Sequence, residues 1–499
     1  MLHNGEVILK HNSGAKDITT GQCPTSDTLY CIGGLSQGFV AAAIDLLVQR
    51  GQLEWDTPVA SILPQYARVD GDVMLNGMTL RDICSHRTGL SGLNSIIQGM
   101  DGRILFPKRD MIDIVNALPK KSQFRCNYKN NNAAFELAGC VIERVSKCTT
   151  WGDFLERNIF EPLDMSRTTT TRSVHRTDSN VAKGYTALAD GSLYGMPPTE
   201  LSEHSMNGAS GGTRSSVNDL LKWCSCLLES FYGKKSSDIS PIRPHSPLFD
   251  RASMVNPASI QDGDYCSGWC YHQIPSKLGL TSVNRDFTRP ILGEQSRSLV
   301  IYGHQGDIPG YTSSLYLIPH TRSAVVILSN GTGHHDAAEW AAQDLIQALY
   351  GLHPTIDYTE MASLAALWHR VQFRGELLMP LRKSQTPGTP TRSTAELVGE
   401  YKMKGFPAAT LTLIADDPQS LIMMINGQQD QQYFLHHHHN DTWRYVSPTF
   451  NEYLKRALYW GSGIFLLIAF ERDPEGYVCQ LVWKSDGVPV IFDKTGERP

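Results

Sequence analysis

The sequence predicts an α+β protein in two parts, a mixed helix-and-strand region up to about residue 355 and an all-β region after it. Three observations lead there. Ser298–Tyr302, Ser313–Ile318 and Ser323–Leu328 are short alternating or apolar segments that read as strands, and helical spacing from Asp336 to Tyr350 follows them. Phe39, Ala43, Leu46 and Leu47 recur at helical spacing early in the chain. From Glu396 the texture changes to LTLIAD, SLIMMING, TWRYVS, IFLLIAFE and YVCQLVWK, with Asn426-Gly427 and Glu475-Gly476 as turn signals between them.

In chain order, an extended segment from Glu6 to Lys10 precedes a helix that starts near Gly34 and closes at Gly51. Ser36, at the start of that helix, is expected to cap its own backbone. A helix-rich middle follows, in which Ser210-Gly-Gly212 through Asp219 is a turn feeding a helix with Asp219 buried at its start. The three strands and the Asp336–Tyr350 helix close the first region, taken as residues 1–355. Residues 359–373 read as a connecting helix, and the stretch RKSQTPGTPTRST has the Pro/Thr/Ser composition of a linker, so 356–394 joins the two parts. Residues 395–499 are expected to form a small antiparallel β-sandwich or barrel.

Composition narrows the class of function. At 499 residues the chain exceeds one ordinary core. Charged residues make up 19% and hydrophobic residues 41%, a globular profile, and the net charge of -5 argues against nucleic acid or an anionic membrane as partner. The apolar run Ile464 to Phe470 is too short to cross a bilayer, and MLHNGEVILKHNSG lacks the apolar core of a signal peptide. The 11 cysteines show no paired framework, which suits reduced thiols in a cytoplasmic protein. His436 to His439 resembles a metal tract, but neighbouring strand residues face opposite ways, so no metal or cofactor is expected. The expected partner is a small-molecule substrate, and the sequence leaves the oligomeric state open.

One segment carries more chemistry than the rest. Cys31-Ile32-Gly33-Gly34-Leu35-Ser36-Gln37-Gly38-Phe39, followed by VAAAIDLLVQRGQLEWDTPV, resembles the segment in which the serine beta-lactamase, penicillin-binding-protein and esterase/transesterase superfamily carries Ser-x-x-Lys. The serine position reads Gly34 and the lysine position Gln37. Acylation needs a hydroxyl and a base, and glycine with an amide supplies neither. Sliding the motif to Ser36 puts Phe39 at the lysine. The resemblance implies an antiparallel sheet flanked by helices with a helical subdomain, and a C-terminal β domain like that of many fungal members. It covers nearly the whole chain. Relatives usually begin with a helix and strand ahead of HNGEV, so here either the start is short or the sheet lacks part of an edge.

The family's Tyr-x-Asn matches in two registers. Tyr128-Lys129-Asn130 satisfies the pattern with an insertion after it; the gapless register, anchored on Phe135-Glu-Leu-Ala-Gly139, places Asn130 at the tyrosine and Asn132 at the asparagine. Asparagine runs are also common helix caps. The esterase-like His-x-Gly motif is matched by His304-Gln305-Gly306, whereas Lys494-Thr495-Gly496 at the end of the chain is a coincidental Lys-Thr-Gly. His304 is thereby the expected catalytic residue, a proton-exchanging group near neutral pH. Gly34, Gln37, Asn130, Asn132, Asp307, Tyr128 and Tyr311 are the expected substrate-binding residues, with the N–H groups of Gly34 and Asp307 as an oxyanion cradle. His86, in Asp82-Ile-Cys-Ser-His86-Arg-Thr-Gly-Leu90, is expected to pack. Three functions compete: a repurposed enzyme working by non-covalent acid–base chemistry on a small molecule of fungal secondary metabolism, a residual hydrolase or transesterase, and a silent binding protein or scaffold.

Overall fold

Asn4 and Gly5 take φ values of 55° and 84°, and this tight turn folds Leu2–His3 back on Glu6–Val7. In the computed structural model, which describes residues 1–233, 240–386, 389, 393–417, 420–445, 449–458, 466–485 and 487–496, this hairpin edges the main sheet. The sheet runs in the order Glu6–Val7, Leu2–His3, Ser323–Ser329, Tyr311–Ile318, Val300–Ile308, Cys270–Gln273, Asp264–Tyr265, Ser253–Met254. Every pairing in it is antiparallel. Leu2 pairs with Ala324, so the hairpin lies beside the Ser323–Ser329 strand. The strand expected over Ser298–Tyr302 is Val300–Ile308, long enough to carry the whole His304-Gln305-Gly306 segment.

Helices cover the sheet. Ser36–Gln49 is buried at every position from Ser36 to Leu47, so its Ala-rich run is a central helix with packing on all sides. Asn132–Ser146 lies against it, while Val217–Ser230 and Ala337–Tyr350 pack on the sheet strands. Gly38 and Gly268 make one close approach possible: a Cβ on Gly38 would lie 2.9 Å from Trp269 Cζ2, and one on Gly268 2.8 Å from the Gln37 carbonyl oxygen. The strand-turn segment Tyr265–Trp269 can therefore lie directly on the first turn of the central helix.

The C-terminal strands settle the choice between sandwich and barrel. Gly399–Met403, Phe406–Asp417, Ser420–Ile425, Gln432–His439, Thr442–Tyr445, Leu467–Arg472, Val478–Ser485 and Val488–Lys494 form a closed antiparallel barrel, with Tyr401 opposite Lys494 at the seam. Its first strand places Tyr401 and Met403 inside with Glu400 and Lys402 outward, the alternation that the sequence shows. Ile464 and Phe465, which begin the apolar run, lie outside the described residues, and from Leu467 the run is barrel strand. The connecting helix, Tyr358–Gln372, continues through a π-helical turn at Phe373–Leu378 into Met379–Ser384, longer than its expected 359–373; residues 387, 388 and 390–392 of the linker lie outside the described residues.

The barrel docks on the first region through Phe106 against Phe406 (5.7 Å between centroids) and Met100 N–H donating to Gln431 Oε1 at 2.8 Å. A short helix between two of its strands, Phe450–Lys455, reaches across so that Asn451 Oδ1 accepts from Ala189 N–H at 2.8 Å. Among the described residues no helix is long and apolar enough to cross a membrane, and no disulfide joins two cysteines.

Asp45 anchors the central helix. Fully buried, it accepts hydrogen bonds from Arg243 Nη2 and Ser246 Oγ at 2.9 Å and from Trp55 Nε1 at 3.3 Å. Removing one partner of a buried pair strands the other, so Asp45→Ala should lower unfolding free energy by about 3 kcal/mol, read from urea denaturation. A loss below about 1 kcal/mol would mean that solvent reaching Arg243 replaces the lost contact.

Candidate active site

The site is built where the start of the central helix meets the edge of the Val300–Ile308 strand. Gly33–Leu35 forms a single 3-10 turn ahead of Ser36–Gln49, and the contact with the strand is close. A Cβ placed on Gly34 would sit 2.7 Å from the Gln305 carbonyl oxygen and 2.8 Å from His304 Cε1. The imidazole therefore lies against the backbone where a side chain at position 34 would begin. Glycine here is required by packing.

His304 is 3% exposed. Its Nδ1 lies 2.7 Å from the Gln305 carbonyl oxygen and its Nε2 3.0 Å from the Tyr265 hydroxyl. Tyr265 also contacts Gln37 Oε1 at 2.9 Å, and the same oxygen lies 2.9 Å from His86 Nε2. His86 Nδ1 accepts from Asn131 N–H at 3.1 Å. Gln37 Nε2 donates to Asn132 Oδ1 at 3.4 Å. Burial holds both imidazoles neutral, lowering His304 to about 4 and His86 to about 3; the Gln305 carbonyl opposes the first, and the neighbouring His304 adds to the second. Burial raises the Tyr265 hydroxyl well above its ordinary range.

Gly34, Gln37, Tyr128, Asn130, Asn132, His304 and Asp307 line one cavity of about 460 Å³. Asp307 is the next-to-last residue of its strand, before the Pro309-Gly310 turn across which Ile308 pairs with Tyr311. In a two-residue hairpin the closing pair exchanges hydrogen bonds, so the N–H of the preceding residue points away from the partner strand. The Asp307 N–H is thus directed toward the Gly33–Gly34 turn, where a Cβ on Gly33 would lie 3.0 Å from it. Burial pushes the Asp307 carboxyl up to about 6 against the pull of Arg285. Farther out, the wall is aromatic: Phe287 faces Trp368 at 5.8 Å, and Phe373 packs on Tyr453 at 5.2 Å. Connecting helix and barrel insert thus complete a cavity begun in the first region.

The structure alters several expectations. Tyr311 does not line the cavity; its ring is buried and its hydroxyl donates to the Ala182 carbonyl at 2.7 Å, because alternation along its strand turns it into the core. His304, the expected catalytic residue, lines the cavity, and both its ring nitrogens contact protein groups. Ser36 does not cap its helix: its buried hydroxyl accepts from Thr213 N–H at 3.0 Å. The asparagine that caps the Asn132–Ser146 helix is Asn131, whose Oδ1 accepts from Ala134 N–H at 2.8 Å, which leaves Asn130 and Asn132 on the cavity. His86 packs against Tyr128, Phe135 and Tyr265, yet it also holds Gln37. Tyr265 was not foreseen, because Tyr265-Cys266-Ser267-Gly268-Trp269 has no spacing that marks it. In the His436–His439 tract, His438 points inward to Ser384 Oγ at 2.9 Å while His436 is exposed.

Comparison with known proteins places this geometry. A model of the Beta-lactamase family matches residues 1–349. An unguisins hydrolase of Aspergillus campestris is 27% identical over 318 residues, 62% of this chain and 53% of that protein. The chain thus spans about half the length of that relative. Penicillin-binding protein 4* of Bacillus subtilis is 23% identical over 425 residues, 81% of this chain and 84% of its own. Among solved structures, the octameric penicillin-binding protein homologue from Pyrococcus abyssi has a TM-score of 0.56 at 18% identity, covering 98% of this chain and 94% of that one, a likeness of fold.

Two measurements follow from the packing and burial. Gly34→Ala should cost about 1–3 kcal/mol by overpacking against His304 and Gln305, and should shift the His304 Cε1–H resonance; an unchanged resonance and melting temperature would mean the contact is loose. His304 and His86 have folded pKa values depressed below the unfolded 6.5. The unfolded chain therefore takes up protons first, and stability falls as pH drops from about 6.5 toward 4. At pH 5.5 the loss should be about 1.4 kcal/mol per histidine relative to pH 7.5 in urea unfolding. Equal stability at the two values would show that neither imidazole is held neutral.

Proposed function

The chain belongs to the beta-lactamase family, and on that premise we propose that it is an enzyme acting on a small acyl compound without an acyl-enzyme intermediate, by hydrolysis through direct attack of water. The observation that carries this reading is one cavity lined by both Gly34, which has no hydroxyl, and Asp307, whose carboxyl burial raises. The backbone N–H groups of Gly34 and Asp307 hold the developing oxyanion. The Asp307 carboxylate takes a proton from water as its oxygen bonds to the acyl carbon, then returns that proton to the leaving oxygen or nitrogen as the old bond breaks. A carboxyl near pKa 6 suits both directions of transfer. Gln37, Asn130 and Asn132 supply amides for the substrate's polar groups, and Tyr128 lends an apolar wall. His304 fills the space beside Gly34 and orients the strand edge.

Hydrolysis is supported by the fungal relatives named as hydrolases. A place in secondary-metabolite chemistry and a cytoplasmic setting belong to the same proposal and rest on the sequence.

Two experiments test the reading. Intact-mass spectrometry after exposure to penicillin G or a fluorophosphonate should show no adduct; a stoichiometric adduct on a cavity serine such as Ser210 would replace the direct-water mechanism with a covalent one. On whichever member of a panel of esters, amides and lactams is cleaved, kcat/KM should rise with pH through about 6. Asp307→Asn should remove that limb and lower the rate about 10²-fold or more. An unchanged profile in a folded Asp307→Asn protein would take the proton transfer away from Asp307.

A further inference from the structure

The hydrogen bonds around His304 contain one proton too few. Asn131 N–H donates to His86 Nδ1, so the proton of neutral His86 sits on Nε2 and is given to Gln37 Oε1. That fixes the orientation of the Gln37 amide, with its Nε2 toward Asn132. An amide oxygen can only accept, so its contact with Tyr265 at 2.9 Å requires the phenol proton. His304 Nε2 must then donate to the Tyr265 oxygen, 3.0 Å away. On the other side of the ring, the Gln305 carbonyl at 2.7 Å requires a proton on Nδ1. No placement satisfies all of these contacts unless His304 carries both protons. Burial opposes that charge, so the ring lies between two demands.

An anion in the cradle would resolve the conflict. The Gly34 turn touches both the His304 ring and the Asp307 backbone, so a group accepting from the cradle N–H donors lies against the imidazole edge. The other titratable groups facing His304 are Tyr265 and His86, neither of them a carboxylic acid. Asp307 lies on the opposite face of the strand by alternation, with Arg285 beyond it on the Val283–Asp286 turn. We propose that the Gly34–Asp307 cradle binds a carboxylate together with one proton, taken from solvent onto the His304 ring and held by Tyr265 and Gln305. The inference rests on the cradle assigned above. Its ligand class matches the acid that hydrolysis releases, and the aromatic wall suits an aryl or apolar body. Only the N–H bond on His304 forms; Tyr265 stays a phenol. Tyr265, which does not line the cavity, is a positioning residue. By linkage, the carboxylate should bind more tightly as pH falls, by up to about tenfold per unit between the free and bound pKa values of His304.

Calorimetric titration with benzoate at pH 6, in two buffers of different ionisation enthalpy, tests this without turnover. More than half a proton should be taken up per benzoate bound, in the unaltered protein and in Asp307→Asn, and none with benzamide. Tyr265→Phe should lose the uptake. The idea is overturned by benzoate binding without proton uptake, by uptake that disappears in Asp307→Asn, or by no saturable binding at tens of millimolar to the folded protein. Should Tyr265→Phe fail to fold, ring ¹⁵N spectra of the unaltered protein decide: benzoate must convert the His304 nitrogens to the doubly protonated pattern, and a persisting neutral pattern refutes the proposal. Proton-coupled benzoate binding in a protein that cleaves no acyl compound would leave this inference standing and remove the hydrolase reading.

Discussion

The contact on which the site depends is the one between Gly34 and the His304–Gln305 peptide. A missing side chain at position 34 lets the helix start and the strand edge close to less than the distance a Cβ tolerates. That closeness aims the turn at the Asp307 N–H, seats the imidazole beside the cradle, and leaves the Tyr265 hydroxyl between His304 and Gln37. The absence of a hydroxyl and the presence of the network are two consequences of one packing choice.

Behind the strand, a second polar layer holds it in place. Gln305 Oε1 accepts from Thr281 Oγ1 at 2.8 Å, and Ser282 Oγ donates to Asp336 at 2.8 Å at the start of the Ala337–Tyr350 helix. Burial lifts the Asp336 carboxyl to about 8, helped by the nearby Glu339. Glu339 in turn accepts from Ser314, Tyr316 and Gln343. These buried acids are met by hydroxyls and an amide, so the loop that walls the cavity is fixed to sheet and helix at once.

The outer wall comes from sequence far away. Trp368 and Phe373 on the connecting helix, and Tyr453 on the barrel insert, bring aromatic surface to a cavity whose polar end was assembled earlier in the chain, between Gly34 and Asp307. The barrel thus helps wall the cavity as well as forming a separate sheet. His334 and His369 edge the same wall, the first tilted on Phe450 and the second edge-on to it.

Much of this was legible in the sequence. Period-two alternation marked the last strands of the sheet and the barrel, and helical spacing marked the helix after Gly34, because those patterns record which face each residue buries. Gly34 and Gln37, where the resemblance puts serine and lysine, pointed to the cavity they line. Tertiary structure decided the rest. Tyr265 became a hub because three distant segments meet at its hydroxyl, and no local pattern carries that information. Tyr311 and Ser36 went into the core because their partners, Ala182 and Thr213, lie on other elements. Local periodicity tells which side of an element is inward; which atoms meet there, and which protons they must share, is settled only when elements far apart in the chain close on one another.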